Sequence, residues 1–344
     1  MIRGDIRALS AYAVPDSSGM IKLDAMENPY ALPNELREAW AKRLAATEIN
    51  RYPDACMEEL RTAIGKQNGL TAEHVLLGNG SDELIQMLLM AADAGACVIP
   101  APTFVMYELI SRWLKRPVIS VQLNQHFELD AAAFMRACGQ ERTAITFLAC
   151  PNNPTGNLWP AEAVAKIAAS FKGLVVIDEA YLAFSERNHA DLIAANVLIL
   201  RTYSKLGWAG LRLGYLLGDP AMIAQLDKVR LPYNINTLTQ ESALLFLEHF
   251  DVFRNQAECI KGERERVRDV MDALDEVEVF PSAANFLLLR VSDAPAVFAA
   301  LRERGILIKN LHPAGGLLSG CLRVTIGKQE ENDSFLAALK EILA

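Results

Sequence analysis

The sequence predicts an α/β protein: a mainly parallel sheet covered on both faces by helices, joined to a smaller α+β unit. Two observations predict it. Apolar runs of four to six residues alternate with helical patterns through the centre of the chain, and each run stops abruptly at polar, Gly or Pro residues. A strand that is apolar at every position must be buried on both faces, as strands of a helix-covered parallel sheet are. In such sheets ligands bind beyond the carboxyl ends of the strands. Ser81, Asn153, Asp178 and Lys205 collect at those ends, so a ligand site is expected there.

In chain order, the first thirty residues read as extended, and residues 34–44 as a helix preceded by Pro33. Residues 74–77 form the first apolar run, which ends in Gly78-Asn79-Gly80-Ser81-Asp82 before a helical pattern at 83–92. Residues 96–99 run into Pro100-Ala101-Pro102-Thr103, and 144–149 into Pro151-Asn152-Asn153-Pro154-Thr155-Gly156. Residues 174–177 stop at Asp178-Glu179-Ala180-Tyr181, and 197–200 at Arg201-Thr202-Tyr203-Ser204-Lys205. Residues 211–217 read as a further strand. Residues 237–250 and 252–274 read as two helices, the second heavily charged. A strand at 285–291, a helix at 296–304, strands at 306–309 and 321–326 and a helix at 334–343 complete the α+β unit. The division expected is an arm with part of the small domain at 1–48, a large domain at 49–234 and a small domain at 235–344. No internal repeat is visible.

Composition narrows the function. Of 344 residues, 51% are hydrophobic and 22% charged, as in an ordinary folded protein. Lys plus Arg is 34 and Asp plus Glu is 42, giving a net charge of −8 without a basic tract, which argues against binding a nucleic-acid backbone. A few arginines can still build a local anion site. No run is long and apolar enough to span a bilayer, and the start carries Arg3, Asp5 and Arg7 in place of a signal-peptide core. A soluble, cytoplasmic protein without membrane contact is expected. The six cysteines are dispersed, several in apolar runs, and read as buried reduced thiols. The five histidines show no metal-ligand spacing, so no metal is expected.

Several residues at the strand ends can carry chemistry. A lysine such as Lys205, in an apolar cleft, loses hydration, so its pKa falls and its amine becomes nucleophilic. On its own it is equally a solvated loop lysine. A carboxylate at the tip of a buried strand, as Asp178 is, costs free energy unless it is paired. It can hold a cationic ring nitrogen or cap the next helix. Gly80-Ser81-Asp82 opens a helix with free backbone N–H groups, the geometry of an anion site and also of an ordinary N-cap. Asn153 lies in a turn-forming segment. Arg212, seven residues after Lys205, can add a charge to the same anion.

Taken in order, these segments resemble a family. Asn153-Pro154-Thr155-Gly156, Asp178-Glu179-Ala180-Tyr181, and Ser204-Lys205 followed by Ala209-Gly210-Leu211-Arg212 are similar to the aspartate-aminotransferase-fold enzymes that use pyridoxal 5′-phosphate (PLP). Further segments resemble the histidinol-phosphate aminotransferases within that group. They are Glu27-Asn28-Pro29-Tyr30, Arg51-Tyr52-Pro53, Gly78-Asn79-Gly80-Ser81-Asp82-Glu83, Ala284-Asn285-Phe286 and Cys321-Leu322-Arg323-Val324-Thr325-Ile326-Gly327. The resemblance spans essentially the whole chain and implies fold type I, with a mainly parallel seven-stranded sheet in the large domain.

It also implies roles. Lys205 would bond the cofactor and then shuttle a proton between the substrate Cα and the cofactor. Asp178 would keep the ring nitrogen protonated, and Asn153 and Tyr181 would bond the ring's phenolate oxygen. Tyr107 would stack on the ring. The backbone of Gly80 and Ser81, with Thr202, Ser204 and Arg212, would hold the cofactor phosphate, with Asp82 beside them. Tyr52 would reach the phosphate in a neighbouring subunit, making the active unit a homodimer. Arg323, Lys309, Asn28 and Tyr12 would lie at the substrate. The implied reaction moves an amino group between L-histidinol phosphate and 2-oxoglutarate, giving imidazole acetol phosphate and glutamate. An aromatic amino acid aminotransferase, a threonine-phosphate decarboxylase and a non-catalytic PLP-binding protein share the cofactor residues and remain alternatives.

The chain departs from the family pattern in four places. One residue fewer separates Lys205 from Arg212, so Arg212 reaches the phosphate if the loop tightens at Gly207. Lys309 stands where many relatives have a second phosphate-binding arginine, and a lysine is a point charge that cannot make the bidentate fork. Met26 stands where Asn is frequent. Phe104 replaces a frequent Tyr and reads as a packing detail.

Overall fold

The computed structural model describes residues 1–11, 14–139 and 142–344. Seven strands build the central sheet: β1 (Val75–Gly78), β2 (Ala96–Ala101), β3 (Val118–Gln122), β4 (Thr143–Ala149), β5 (Leu174–Asp178), β6 (Val197–Thr202) and β7 (Gly214–Leu217). They lie side by side in the order β1-β7-β6-β5-β4-β2-β3. The five from β6 to β3 are parallel, and β7 runs antiparallel to both β6 and β1.

The period of two along each strand divides its apolar residues between two cores. Leu148, Val175, Ile177, Val197, Ile199 and Leu217 face one core, with Leu60, Ile64, Val164, Ile167, Phe253 and Ile260 from the covering helices. Phe147, Val176, Leu198, Leu200 and Leu216 face the other, with Leu84, Ile85, Leu88, Tyr107, Ile110 and Ile223. Each such side chain contributes about 1.5–3 kcal/mol on burial. That is why β4 to β6 are apolar at nearly every position and were legible as strands.

Within the central sheet two elements differ from the expectation. β3 reads VISVQ and is only partly buried at the sheet edge, so it lacks the continuous apolar signature. The strand expected at 211–217 begins at Gly214, because residues 203–213 are spent reversing the chain after β6. That connection is too short for the crossover a parallel neighbour needs, which fixes β7 as antiparallel. The start of the chain is not wholly extended either: Gly4–Arg7 is a helical turn and Ile21–Lys22 a short strand.

A second sheet holds β8 (Glu278–Val279), β9 (Phe286–Arg290), β10 (Lys309–Asn310) and β11 (Cys321–Thr325), all antiparallel, in the order β10-β11-β9-β8. Ile21–Lys22 pairs in parallel with Ile306–Leu307, tying the start of the chain to this C-terminal unit. The 23-residue helix Phe250–Asp272 leads into that unit, burying Phe253, Ala257, Ile260, Val267 and Met271 along one stripe. Among the described residues no helix is long and apolar enough to cross a membrane. Cys97, Cys150 and Cys321 are buried as expected, whereas Cys56 and Cys259 are exposed. Cys259 falls on the solvent side of its helix, between the buried Ala257 and Ile260 and beside exposed Glu258.

Candidate active site

The carboxyl ends of β1, β4, β5 and β6 open into one cavity. Ser81, Asp82, Tyr107, Asn153, Asp178, Tyr181, Thr202, Ser204, Lys205 and Arg212 all line it, together with Met26 and Phe104. Residues spread over more than 130 positions of sequence converge because their strands lie side by side and each chain leaves the sheet at the same edge.

Asp178 is the last residue of β5, paired across to Ala149 of β4 and Leu200 of β6. Its side chain is buried; Oδ1 accepts from the Ala180 N–H at 2.9 Å and Oδ2 from the Tyr107 hydroxyl at 2.6 Å. Burial raises its carboxyl to about 6, against those two donors, which pull it down. Lys205 lies three residues past β6, in a single wide turn at Ser204–Trp208. Burial pushes its ammonium down to about 8, and the Arg323 guanidinium adds to the fall. The turn breaks at Gly207, whose φ of 128° is open to glycine and strained for other residues. That is the tightening the short spacing requires, and Arg212 reaches the cavity wall in a left-handed conformation (φ 51°, ψ 49°).

Opposite Lys205, Gly80 caps the helix Ser81–Ala91 at φ 82°. A Cβ at Gly80 would stand 2.5 Å from Arg212 Nη2, and one at Gly214 2.8 Å from the Ser81 nitrogen. Only glycines therefore let this helix start, β7 and Arg212 close around one spot. The Gly80 N–H donates to the Gly78 carbonyl at 2.8 Å, so the first-turn N–H groups from Ser81 onward, the helix dipole and the Arg212 guanidinium are what suit this spot to an anion. Thr202 Oγ1 donates to Ser204 Oγ at 2.9 Å on the same wall. Arg212 Nη2 is 3.6 Å from Asp82, whose carboxyl is raised by burial and drawn back by Arg212 and Lys205.

A hydrogen-bonded chain joins the two parts of the molecule. Arg323 Nη1 donates to Asn153 Oδ1 at 2.5 Å, and Asn153 Nδ2 donates to the Tyr181 hydroxyl at 3.0 Å. Arg323 Nη2 also donates to the Asp24 carbonyl at 3.0 Å, and its guanidinium lies 5.2 Å from the Phe286 ring centre. Burial raises the Tyr181 phenol, with Arg323 opposing the rise. Met26, Phe104 and Asn153 also line an adjoining cavity, whose cations are Lys309 and Arg323. These two are directly opposed on β10 and β11.

Tyr107 lines the cavity and is fully buried, with its ring stacked on Phe147 at 4.6 Å and its hydroxyl on Asp178, so it holds the carboxylate. Phe104, set aside as packing, is the aromatic left partly open to both cavities. Some expected site residues stand elsewhere. Asn28 does not line the cavity. Its amide is spent on the Leu206 carbonyl, Gln256 and the Tyr30 N–H, bracing the turn after Lys205. Tyr52 is 81% exposed and stacks on Tyr233, away from the chain's own cavity. Tyr12 lies outside the described residues.

The family model described as aminotransferase class I and II matches residues 18–339. A histidinol-phosphate aminotransferase from Methylibium petroleiphilum is 48% identical over all of this chain and 95% of its own length. Histidinol-phosphate aminotransferase 2 from Burkholderia pseudomallei is 49% identical over 99% of this chain and 97% of its own. The chain belongs to the histidinol-phosphate aminotransferase family. The crystal structure of histidinol-phosphate aminotransferase from Sinorhizobium meliloti in complex with pyridoxal-5′-phosphate shares the fold, with a TM-score of 0.88 at 24% identity. It covers 99% of this chain and 97% of that one.

Members of the family use PLP, and the residues here fit it. Gly80 and Gly214 let β7, the start of the helix Ser81–Ala91 and Arg212 pack closely, and this brings Ser81 and Arg212 to the cavity wall as donors for a phosphate. The buried Asp178 is an acceptor whose charge calls for a cationic partner. Lys205 supplies an amine already pushed toward its neutral form.

Proposed function

We propose that this chain transfers the amino group of L-histidinol phosphate to 2-oxoglutarate, giving imidazole acetol phosphate and glutamate, as a step of histidine biosynthesis in the cytoplasm. The observation that carries the reading is the pair of joined cavities. One gathers Lys205, Asp178, Ser81 and Arg212, and the other presents Arg323 and Lys309. The first suits the cofactor and the second an anionic substrate end.

When bound, PLP supplies a sink for the electrons left at the substrate's Cα. Asp178 would keep the ring nitrogen protonated, and Tyr107 holds Asp178. Asn153 and Tyr181 would donate to the ring's phenolate oxygen. Gly80, Ser81, Thr202, Ser204 and Arg212 would hold the cofactor phosphate. Lys205 would take the proton from the substrate Cα and pass it to the cofactor side, a task for which an amine titrating near operating pH is suited. Arg323 holds the carboxylate of glutamate bidentately and the phosphate of histidinol phosphate in turn. Lys309 adds a point charge for the phosphate, and Phe104 and Met26 form the apolar wall between the two cavities.

The active unit is a homodimer in this reading. Tyr52 and Tyr233 stack on each other at 4.6 Å, and both are exposed, as are their near neighbours in sequence Ile49 and Leu231. Exposed apolar surface of this kind marks an interaction site. Tyr52 then completes the phosphate site of the neighbouring subunit.

The test is release of glutamate from 2-oxoglutarate with histidinol phosphate, phenylalanine or threonine phosphate as the offered amine. Histidinol phosphate should have the highest kcat/KM. A higher value for phenylalanine would make the chain an aromatic amino acid aminotransferase, and carbon dioxide release from threonine phosphate without glutamate would make it a decarboxylase.

A further inference from the structure

A buried ionic cluster beside the cavity has no part in the reaction scheme. Glu179 follows Asp178 directly, and its side chain is wholly buried. Its Oε2 accepts from Arg201 Nε at 2.8 Å and lies 2.7 Å from Arg201 Nη2. Its Oε1 accepts the His189 backbone N–H at 2.6 Å and lies 2.9 Å from His189 Nδ1. His189 Nε2 is in turn 4.0 Å from Cys150 Sγ, at the end of β4. Arg201 also donates to Asn68. Neither Glu179 nor Arg201 lines the cofactor cavity; both line a separate one with Tyr203, Tyr215 and Phe250.

The cluster's position is its argument. The β5–β6 ladder ends at the pair Asp178 and Leu200, with one last bond from the Glu179 N–H to the Leu200 carbonyl at 2.8 Å. Beyond it the two chains part, one toward Tyr181 and the other toward Lys205. The Glu179–Arg201 pair is a side-chain bridge at the fork, one residue from Asp178 on one side and from Thr202 on the other. A buried ion pair of this kind is a poor source of net stability, since desolvation cancels most of the attraction. Arg201 Nε and Nη2 converge on Oε2 while His189 takes Oε1, so both carboxylate oxygens are pinned by short charge-assisted contacts that fix the placement of the side chains.

We propose that Glu179 and Arg201, with His189 on the other carboxylate oxygen, are positioning residues that set the separation of Asp178 and Lys205 and so the alignment of the cofactor between them. The inference rests on the cofactor roles given to Asp178 and Lys205, and not on which amine is the substrate.

The test uses the PLP-loaded enzyme and two variants, Glu179→Gln and the double variant Glu179→Leu/Arg201→Met. The first readout needs no substrate: the pH at which the visible absorbance of the lysine-bound cofactor titrates. That midpoint should move by about half a pH unit or more, because a displaced Asp178 alters the charge felt at Lys205. With histidinol phosphate, kcat should fall about tenfold or more while KM stays within about twofold, as for a small misplacement of reacting groups. The double variant should keep its melting temperature within a few degrees. An unshifted midpoint with wild-type kcat in a folded variant overturns the proposal. If the double variant does not fold, Glu179→Gln decides by the same two readouts. A wild-type enzyme without a lysine-bound band would instead refute the cofactor roles themselves, so the two failures are told apart.

Discussion

At Lys205 the decisive property is a lowered pKa. An ammonium titrating near 8 is about half neutral at pH 8, against well under about 1% for an ordinary lysine. Binding of PLP to the cofactor-free enzyme, followed by stopped-flow absorbance, should accelerate as pH rises toward 8 and level off above it. A rate still climbing at pH 10 would contradict the environment derived for this residue. Tyr107 gives a second prediction. Its hydroxyl stabilises the charged form of Asp178, so Tyr107→Phe removes a contribution that lowers the carboxyl's pKa, and the pKa rises from about 6. A hydrogen bond to a charged group is worth about 1.5–3 kcal/mol, or roughly one to two pH units. The acid limb of the pH–rate profile should move upward and kcat fall; an unmoved limb would make Tyr107 a packing residue only. The resemblance gave the ring-stacking role to Tyr107 and left Phe104 as packing. Both line the cavity, and sequence alone does not show that Phe147 stacks on one face of Tyr107 or that the Tyr107 hydroxyl is committed to Asp178.

At the scale of elements, the site is a consequence of where strands stop. β4, β5 and β6 were legible because burial on two faces demands an unbroken apolar run, and residues that line the cavity follow within a few positions of the end of each run. The edge strand β3 and the direction of β7 were not legible, since partial exposure blurs the first and a short connection decides the second. The Glu179–Arg201 bridge was hidden for a related reason: charged residues just past a strand look like solvated turn residues until the fold buries them. The close packing at Gly80 offers a direct check. Gly80→Ala must hold an alanine at φ 82° and push Arg212 aside. Because the guanidinium swings away easily, the fold should survive with a loss of about 1–2 kcal/mol, while the dissociation constant for PLP rises about tenfold. An unchanged PLP affinity, measured by equilibrium titration, would remove Arg212 from the phosphate site.

For the whole molecule, the chain brings its N-terminal segment, large sheet and C-terminal sheet to one place. Arg323 of β11 bonds both Asn153 and the Asp24 carbonyl, so the proposed substrate anion site is built from three distant stretches of sequence. The resemblance across the full chain made these residues legible as a set, but the use of Asn28 as a brace for the Lys205 turn emerged only from packing. The exposed Tyr52–Tyr233 pair belongs to the same scale. Sedimentation should give twice the chain mass of 37.8 kDa, and Tyr52→Ala should retain PLP less well although Tyr52 is remote from its own chain's cavity. A monomer with full activity would contradict the shared site. The central claim, that Lys205 and the paired cavities transfer the amino group of histidinol phosphate, is tested most directly by a single half-reaction. The PLP-loaded enzyme is mixed with histidinol phosphate and no 2-oxoglutarate, and the cofactor absorbance is followed. The account predicts stoichiometric conversion to the pyridoxamine form with wild-type enzyme and none with Lys205→Ala. Conversion with phenylalanine but not with histidinol phosphate, or conversion that survives Lys205→Ala, would contradict it.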